Sequence, residues 1–197
     1  KDWKSQNFNK NKDFYEKISI NSQKPKAIII SCCDSRVNPT KIFKAEDGDF
    51  FIHRNIANII PQINDAESNL NTSSAIEYAV KVLRVKHIII LGHSRCGGIE
   101  YGYKSFIEKK INIDLKFTNV WLSQIKSLYY DNKGETIEDI GKENVKHSIN
   151  NLLTYPYINQ LFDQNKIQIH GLFHNIGTGQ IMYFNKITNK FEILNHL

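Results

Sequence analysis

The stretch KHIIILGHSRCGG, residues 86–98, decides the fold of this chain. Its first part, residues 86–91, is apolar on both faces, which is typical of a parallel strand that helices cover on both sides. The small and polar residues that follow end the strand, and a helix is expected to begin near Cys96. The stretch therefore predicts a buried strand that delivers His93 and Cys96 to one edge of a sheet.

A second stretch of the same kind lies earlier in the chain, where residues 26–31 are predicted to form a buried strand. Further strands are predicted at 49–53 and 166–172 and, running antiparallel, at 180–184; helices are predicted at 74–84, 115–130 and 137–153. The pattern Ser74-Ala75-Ile76-Glu77 resembles a capping box and places a helix start there. Strands that alternate with helices indicate an α/β fold, with a mostly parallel central β-sheet flanked by helices.

The composition is that of an ordinary globular protein. A chain of 197 residues with 41% hydrophobic content can bury the core of one domain. The net charge of +6 is spread over scattered lysines without a basic block, so no nucleic-acid partner is expected. The longest apolar runs fall far short of the ~20 residues of a membrane span, so no membrane partner is expected either. Three cysteines, two of them adjacent, favour a cytoplasmic protein over a secreted disulfide scaffold.

The first 24 residues differ from the rest. They are polar, and larger apolar side chains recur among them at roughly helical spacing: Trp3, Phe8, Phe14, Tyr15 and Ile18. Pro25 ends the pattern. We expect residues 1–24 to form an N-terminal helical arm that packs on another surface, and residues 25–197 to form one continuous domain.

Two predicted buried strands each end in a cluster of reactive side chains. Residues 31–36 (SCCDSR) follow the first strand, and residues 92–98 (GHSRCGG) follow the later one. Ligands bind beyond the carboxyl ends of such strands, so Cys32, His93 and Cys96 can meet there. Two thiolates and one imidazole suit Zn²⁺, and three protein ligands leave a fourth position for water. Any one of these residues alone could be a packing or loop residue, but the combination favours a metal site.

Cys33 is the remaining cysteine. Its side chain is expected to point to the opposite face of the strand from Cys32, because successive side chains alternate. A packing role is therefore predicted for it instead of metal ligation.

The two clusters together resemble the paired signature of the β-class carbonic anhydrases. The resemblance is carried by Cys32-x-Asp34-Ser35-Arg36 and His93-x-x-Cys96-Gly97-Gly98. It extends, in the family's order, to residues 53–58 (HRNIAN), 75–80 (AIEYAV) and 170–171 (HG). It implies a zinc domain with a mostly parallel sheet, and a homodimer or dimer of dimers in which the arms embrace the neighbouring subunit.

The resemblance also implies a reaction, the reversible hydration of carbon dioxide to bicarbonate and a proton by attack of zinc-bound hydroxide. Asp34 would accept a hydrogen bond from the hydroxide, and Arg36 would hold that carboxylate off the metal. Gly97 and Gly98 would open a helix whose amides stabilise the Cys96 thiolate. The substrate pocket is expected to comprise an amide donor, apolar walls and these two glycines: Gln23, Phe51, Ile56, Tyr78, Gly97 and Gly98.

Two alternatives to this function stay open. Relatives with the same metal ligands hydrolyse carbon disulfide or carbonyl sulfide, and the motifs do not separate the two activities. The chain could also be a zinc-stabilised binding module without turnover. Asp34 and Arg36 argue against a binding module, because a purely structural site would use a closed fourth ligand. The predicted pocket residues Phe51, Ile56 and Tyr78 would look the same in sequence if they were core residues.

Overall fold

The computed structural model describes residues 2–111, 113 and 115–195. Lys1 of the predicted arm and positions 112, 114, 196 and 197 of the predicted domain lie outside the described residues. Six strands are described: Ala27–Cys32 (β1), Phe50–Asn55 (β2), His87–His93 (β3), Gln168–His174 (β4), Ile181–Asn185 (β5) and Lys190–Ile193 (β6).

Eight α-helices surround these strands in the described part of the chain: Lys12–Ile20 (α1), Pro39–Ile42 (α2), Leu70–Glu77 (α3), Gly97–Tyr103 (α4), Lys116–Ser123 (α5), Lys126–Asp131 (α6), Ile137–Leu153 (α7) and Pro156–Asp163 (α8). Wider, π-helical turns form Lys4–Phe8, Tyr78–Val82 and Lys104–Glu108, and short 3₁₀ turns form Ile56–Asn58, Ile63–Asp65 and Glu67–Asn69. Within the described residues, no helix combines the length and the apolar character needed to cross a lipid bilayer.

The strands form one sheet in the order β2-β1-β3-β4-β5-β6. The first four strands in this order run parallel, whereas β5 and β6 join as antiparallel neighbours. The α/β class with a mostly parallel, helix-flanked sheet is therefore confirmed. Because β1 and β3 are direct parallel neighbours, their carboxyl ends lie side by side.

The hydrophobic core explains why β1 and β3 are apolar on both faces. One face packs against α3, α7 and α8, and the buried residues there include Ile28, Ile90, Val145, Ile149 and Ile158. The other face buries a smaller cluster of Ile29, Val37, Leu91, Leu172 and Ile181. A strand with both faces buried gains hydrophobic stabilisation from every residue, so the isoleucine runs fix these strands at the centre of the sheet.

The predicted helix start at Ser74 is wrong. Helix α3 begins at Leu70, and the Ser74 hydroxyl inside it donates a hydrogen bond to the Asn71 carbonyl at 3.3 Å. Buried side chains tie the first turn of α3 to other elements, since Thr72 Oγ1 lies 3.1 Å from His53 Nε2 and Ser73 Oγ 3.3 Å from Tyr155 Oη. These tertiary hydrogen bonds start the helix earlier than the local pattern suggests.

Other differences lie in the second half of the chain. The predicted helix 115–130 is two helices, α5 and α6, separated by Gln124 and Ile125. The Ser123 hydroxyl and the Gln124 amide donate to the carbonyls of Val120 and Trp121, and such side-chain hydrogen bonds compete with helix continuation. Helix α8 and strand β6 were not predicted, because the first is short and the second lies at the sheet edge.

The arm contains helix α1 and the preceding turn, and neither buries a residue. The Phe8 ring stacks on Tyr15 and the Trp3 ring meets Tyr15 edge-on, and Tyr15 Oη donates to Asp47 Oδ2 at 2.9 Å. Ile20 remains 84% exposed. The helical character of the arm is confirmed, while its separation from a domain at 25–197 stays a prediction.

We expect Gly102→Ala to lower the free energy of unfolding by about 1–3 kcal/mol, because overpacking a filled site costs that much. Gly102 lies in α4, and a methyl group there would meet the hydroxyl end of the Tyr129 ring, which is fully buried on α6. Urea denaturation followed by circular dichroism measures the effect. Gly97→Ala in the same helix is the matched control, since a methyl group at Gly97 meets nothing within 4 Å. Equal stability of the two variants would contradict this account.

Candidate metal centre

Three elements bring the predicted ligands together. Cys32 is the last residue of β1, His93 is the last residue of β3, and Cys96 is the N-cap of α4. Arg95 between them has a φ of 52°, a left-handed conformation that an arginine adopts only at a cost in free energy. This tight turn lets His93 and Cys96 face the same point beyond the sheet edge.

The ligand atoms have the spacing that a zinc ion requires. Cys32 Sγ and Cys96 Sγ lie 3.9 Å apart, and the donor atoms of Cys32, His93 and Cys96 all lie within 4.8 Å of one another. Zinc–sulfur bonds of ~2.3 Å at tetrahedral angles would place two sulfurs about 3.8 Å apart. All three residues are buried. The predicted ligand group thus fits a tetrahedral site with one further position.

His93 presents the correct nitrogen to this site. Its Nδ1 lies 3.0 Å from the Ser94 carbonyl oxygen, to which it donates. This hydrogen bond leaves Nε2 with a free lone pair, and Nε2 is buried with no hydrogen-bond partner among the described residues. A metal-binding histidine is commonly fixed in this way by its second nitrogen. An unpaired buried acceptor beside two sulfurs is what a cation would satisfy.

Hydrogen bonds around the sulfurs favour a thiolate at Cys32. The Cys96 thiol donates to Cys32, and this hydrogen bond, with those from the backbone amides of Asp34 and Ala57, lowers the pKa of Cys32. The shared hydrogen bond and burial raise the pKa of Cys96, so the pair holds one proton unless a cation is present. The amides of Gly98 and Ile99 point at Cys96 Sγ. They are at the start of α4, as predicted for a thiolate at a helix N-terminus.

A paired carboxylate lies next to the ligands. Arg36 Nε donates to Asp34 Oδ1 at 2.9 Å and Arg36 Nη2 donates to Asp34 Oδ2 at 2.7 Å, which is a bidentate arrangement. These hydrogen bonds hold the pKa of Asp34 well below its ordinary value. Arg36 Nη2 also donates to the Arg95 carbonyl at 3.0 Å, which ties the two clusters together. Asp34 Oδ2 is 4.0 Å from His93 Nε2, close to the ligand group without joining it.

The six predicted pocket residues divide into two groups. Gly97, Gly98 and Ile56 lie at the ligand group, and a methyl group added to Gly98 would come within 2.6 Å of Ile56 Cγ2.

Gln23, Phe51 and Tyr78 lie elsewhere in the chain. Gln23 and Tyr78 line one open groove, and the rings of Phe51 and Tyr78 are 6.0 Å apart. Phe51 pairs with Ile28 in the register, whereas Cys32 pairs with Asn55. That offset of four positions is about 13 Å along the strand. A single chain therefore does not bring these three side chains to its own ligand group.

For two further residues at this edge of the sheet, the structure differs from or adds to the interpretation of the sequence. Cys33 is exposed and lines a cavity with His53 and Trp121, so the predicted packing role is wrong. Arg54 donates to the carbonyls of Cys32, Asp34 and Val37 at 2.8–2.9 Å, and thereby holds the loop that carries Cys32 and Asp34. Its place in the HRNIAN match did not reveal this contact.

Helix α7 supplies polar contacts that sequence reasoning missed. Asn144, Ser148 and Asn151 are buried, and they donate to the carbonyls of Ala57, Asn58 and Ile60. These hydrogen bonds satisfy the buried carbonyl groups of a loop that enters the core beside the metal ligands. The spacing of four and three residues on the buried face of the helix was the available signal.

We expect Cys96→Ser to lose most of the zinc that the wild type holds at about one ion per chain, because a serine hydroxyl is a poor zinc ligand. Elemental analysis of the purified, dialysed protein measures this. Cys33→Ser is the matched control, since Cys33 is a neighbouring thiol that lies outside the ligand group. Full zinc content in Cys96→Ser, or equal loss in Cys33→Ser, would refute the ligand assignment.

Comparisons with known proteins agree with this geometry. A family profile described as "Carbonic anhydrase" matches residues 27–181. The chain is 35% identical to β carbonic anhydrase 3 of Arabidopsis thaliana over 90% of this chain and 70% of that protein. It is 31% identical to a carbonic anhydrase of Synechocystis over 93% of this chain and 68% of the relative.

Solved structures lead to the same family. The structure of the β-carbonic anhydrase CcaA superposes with a TM-score of 0.87 at 30% identity, over 98% of this chain and 94% of that one. A tetrameric β-carbonic anhydrase from Sordaria macrospora gives a TM-score of 0.80 at 31% identity, over 93% and 91% of the two chains. With its sheet, its Cys-His-Cys ligand group and these similarities, the chain belongs to the β-class carbonic anhydrases, zinc enzymes that hydrate carbon dioxide.

Proposed function

We propose that this protein interconverts carbon dioxide and bicarbonate with zinc held by Cys32, His93 and Cys96. The observation that carries the proposal is the buried set of three donor atoms, including the unpaired His93 Nε2, next to an ion-paired carboxylate. Bound zinc supplies the Lewis acidity that makes water a nucleophile near neutral pH. The side chains around the zinc orient the nucleophile and bind the substrate.

Asp34 and Arg36 orient the nucleophile in this proposal. The Asp34 carboxylate is ionised over the whole neutral range because its pKa is lowered by Arg36. Two hydrogen bonds to Arg36 fix its direction and keep it from swinging onto the metal. One carboxylate oxygen can then accept a hydrogen bond from the O–H group of the attacking nucleophile, which directs an oxygen lone pair towards the substrate carbon. Asp34 thus acts by holding the proton of the nucleophile in a hydrogen bond at Oδ2, and it stays ionised.

The substrate pocket is proposed to lie at a boundary between two copies of the chain. Ile56, Gly97 and Gly98 form the near wall. Gln23, Phe51 and Tyr78 are proposed to reach the metal centre of the neighbouring copy, since they lie together and away from their own. A small apolar substrate such as carbon dioxide needs a few apolar walls and one donor, which these residues would supply.

A homodimer, alone or paired into a dimer of dimers, follows from the same arrangement. Residues 2–24 include no buried residue, and Trp3, Ile18 and Ile20 are exposed apolar side chains that a second copy could cover. For the cell, we propose the cytoplasm, because Cys32, Cys33 and Cys96 are free thiols as expected in a reducing compartment.

The test of the proposed reaction is a stopped-flow measurement of carbon dioxide hydration by the zinc-loaded protein. Hydrolysis of carbonyl sulfide and carbon disulfide is measured on the same preparation. Carbon dioxide turnover that depends on zinc content is expected. A zinc-loaded protein that is inactive on carbon dioxide would sink the proposal, whichever of the other substrates it accepts.

Asp34→Asn is expected to keep its zinc and to lose hydration rate by about a hundredfold, since proton-handling groups contribute on that scale. The amide cannot accept the same charge-assisted hydrogen bonds from Arg36, so its direction is no longer fixed. Zinc content and kcat are measured on one sample. Asp163→Asn, at the exposed end of α8, is the control. Wild-type turnover in the zinc-replete Asp34 variant would end this role.

Deletion of residues 1–20 is expected to weaken self-association, because it removes the exposed apolar side chains assigned to the partner surface. Sedimentation velocity at the assay concentration reports the assembly state, and hydration rate is measured in parallel. If the neighbouring copy completes the pocket, activity should decline with the fraction of monomer. A fully active monomer would overturn both the dimer and the shared pocket.

A further inference from the structure

The turn Ile56–Asn58 is a strained segment beside the metal ligands. Ala57 has a φ of 62°, a left-handed conformation that costs free energy in alanine, and Asn58, a residue type that tolerates this conformation better, has a φ of 47°. Such conformations persist only where the surroundings hold them. Ala57 packs with Cys32 and Cys96 in one buried cluster with its amide directed at Cys32 Sγ, and a methyl group added to Gly98 at the start of α4 would lie 3.3 Å from the Ala57 methyl. The turn therefore lies between the environments of Cys32 and Cys96.

Asn144 is the side chain that fixes this turn from the opposite side. It projects from α7, is 1% exposed, and donates from Nδ2 to the Ala57 carbonyl at 2.7 Å. Its Oδ1 is buried and has no hydrogen-bond partner within the described residues. A leucine has the same branched shape and the same number of heavy atoms without a buried oxygen to pair, and leaving such an oxygen unpaired is unfavourable. The favourable contribution of an asparagine at this position is therefore its hydrogen bond to the Ala57 carbonyl.

We propose that Asn144 is a positioning residue of the metal centre, which holds the Ala57 carbonyl so that the Ala57 amide stays directed at Cys32 Sγ. The amide and carbonyl of Ala57 lie on either side of one left-handed residue, so anchoring the carbonyl restricts where the amide can point. The proposal rests on the zinc-dependent function proposed above. It adds a residue that touches neither metal nor substrate.

Asn151 provides a matched comparison. It lies two turns further along α7, is also buried, and also donates from Nδ2 to a loop carbonyl, that of Ile60, at 2.7 Å. Ile60 packs in the main core under the sheet, away from the cysteines. Loss of either asparagine leaves one buried carbonyl unpaired, so the two losses should affect folding alike. Only the loss of the hydrogen bond from Asn144 should change the surroundings of Cys32 Sγ.

The experiment compares Asn144→Ala and Asn144→Leu with Asn151→Ala and Asn151→Leu, all as the zinc-loaded chain of 197 residues. Leucine keeps the branched shape and the number of heavy atoms, which protects the comparison if an alanine variant fails to fold. Zinc affinity is measured by chelator competition at several pH values. The Asn144 variants should bind zinc about tenfold more weakly, as loss of an outer-shell contact typically causes. The deficit should grow as the pH falls, because protons then compete better for Cys32.

A second readout is the pH dependence of carbon dioxide hydration. A sulfur that has lost an N–H donor pushes more charge onto the metal, so the midpoint of the pH–rate profile should move to higher pH in the Asn144 variants. Unchanged zinc affinity and midpoint in folded Asn144 variants would overturn the proposal. Equal losses in the Asn151 variants would also overturn it, by assigning the effect to fold stability. A wild type that binds zinc without hydrating carbon dioxide would instead reject the proposed function, and the affinity comparison would still decide the role of Asn144.

Discussion

The structure depends on the burial of two cysteine sulfurs and a histidine nitrogen around one point. Cys32 Sγ and Cys96 Sγ lie 3.9 Å apart, and a negative charge buried there is unfavourable unless it is paired. The protein directs N–H groups at both sulfurs, from Asp34 and Ala57 to Cys32 and from Gly98 and Ile99 to Cys96. Zinc completes the compensation, which couples metal binding to the folded state.

That compensation requires precise backbone positions, and the backbone there is strained. Arg95, Ala57 and Asn58 all have left-handed conformations, and all three lie within the two turns that border the ligands. Side chains from more distant elements hold these turns: Arg36 donates to the Arg95 carbonyl, and Asn144 donates to the Ala57 carbonyl. The strain is therefore maintained by tertiary hydrogen bonds and not by local preference.

The difference between features set by local sequence and features set by tertiary hydrogen bonds explains how much could be predicted from the sequence. The central strands were predictable because isoleucine runs on both faces allow one location, and the ligands followed because they come directly after those strands. The register that separates Phe51 from Cys32 was not predictable, since a match to a family motif carries no distance. The contact of Ser73 in the first turn of α3 and the hydrogen bond of Asn144 depend on partners 82 and 87 residues away in the chain. The local spacing marks the polar residues on the buried face of α7, but it does not identify their partners.

The same N–H groups also bear on the chemistry of the metal. Two thiolates neutralise the charge of a zinc ion, which weakens its ability to acidify water compared with neutral imidazole ligands. An N–H that points at a thiolate draws charge from the sulfur, so less of it reaches the metal. With two amides at each sulfur and the Asp34 charge balanced by Arg36, the protein restores part of the acidity that its ligand set gives up. Backbone geometry around the cysteines is then a determinant of reactivity as well as of metal affinity.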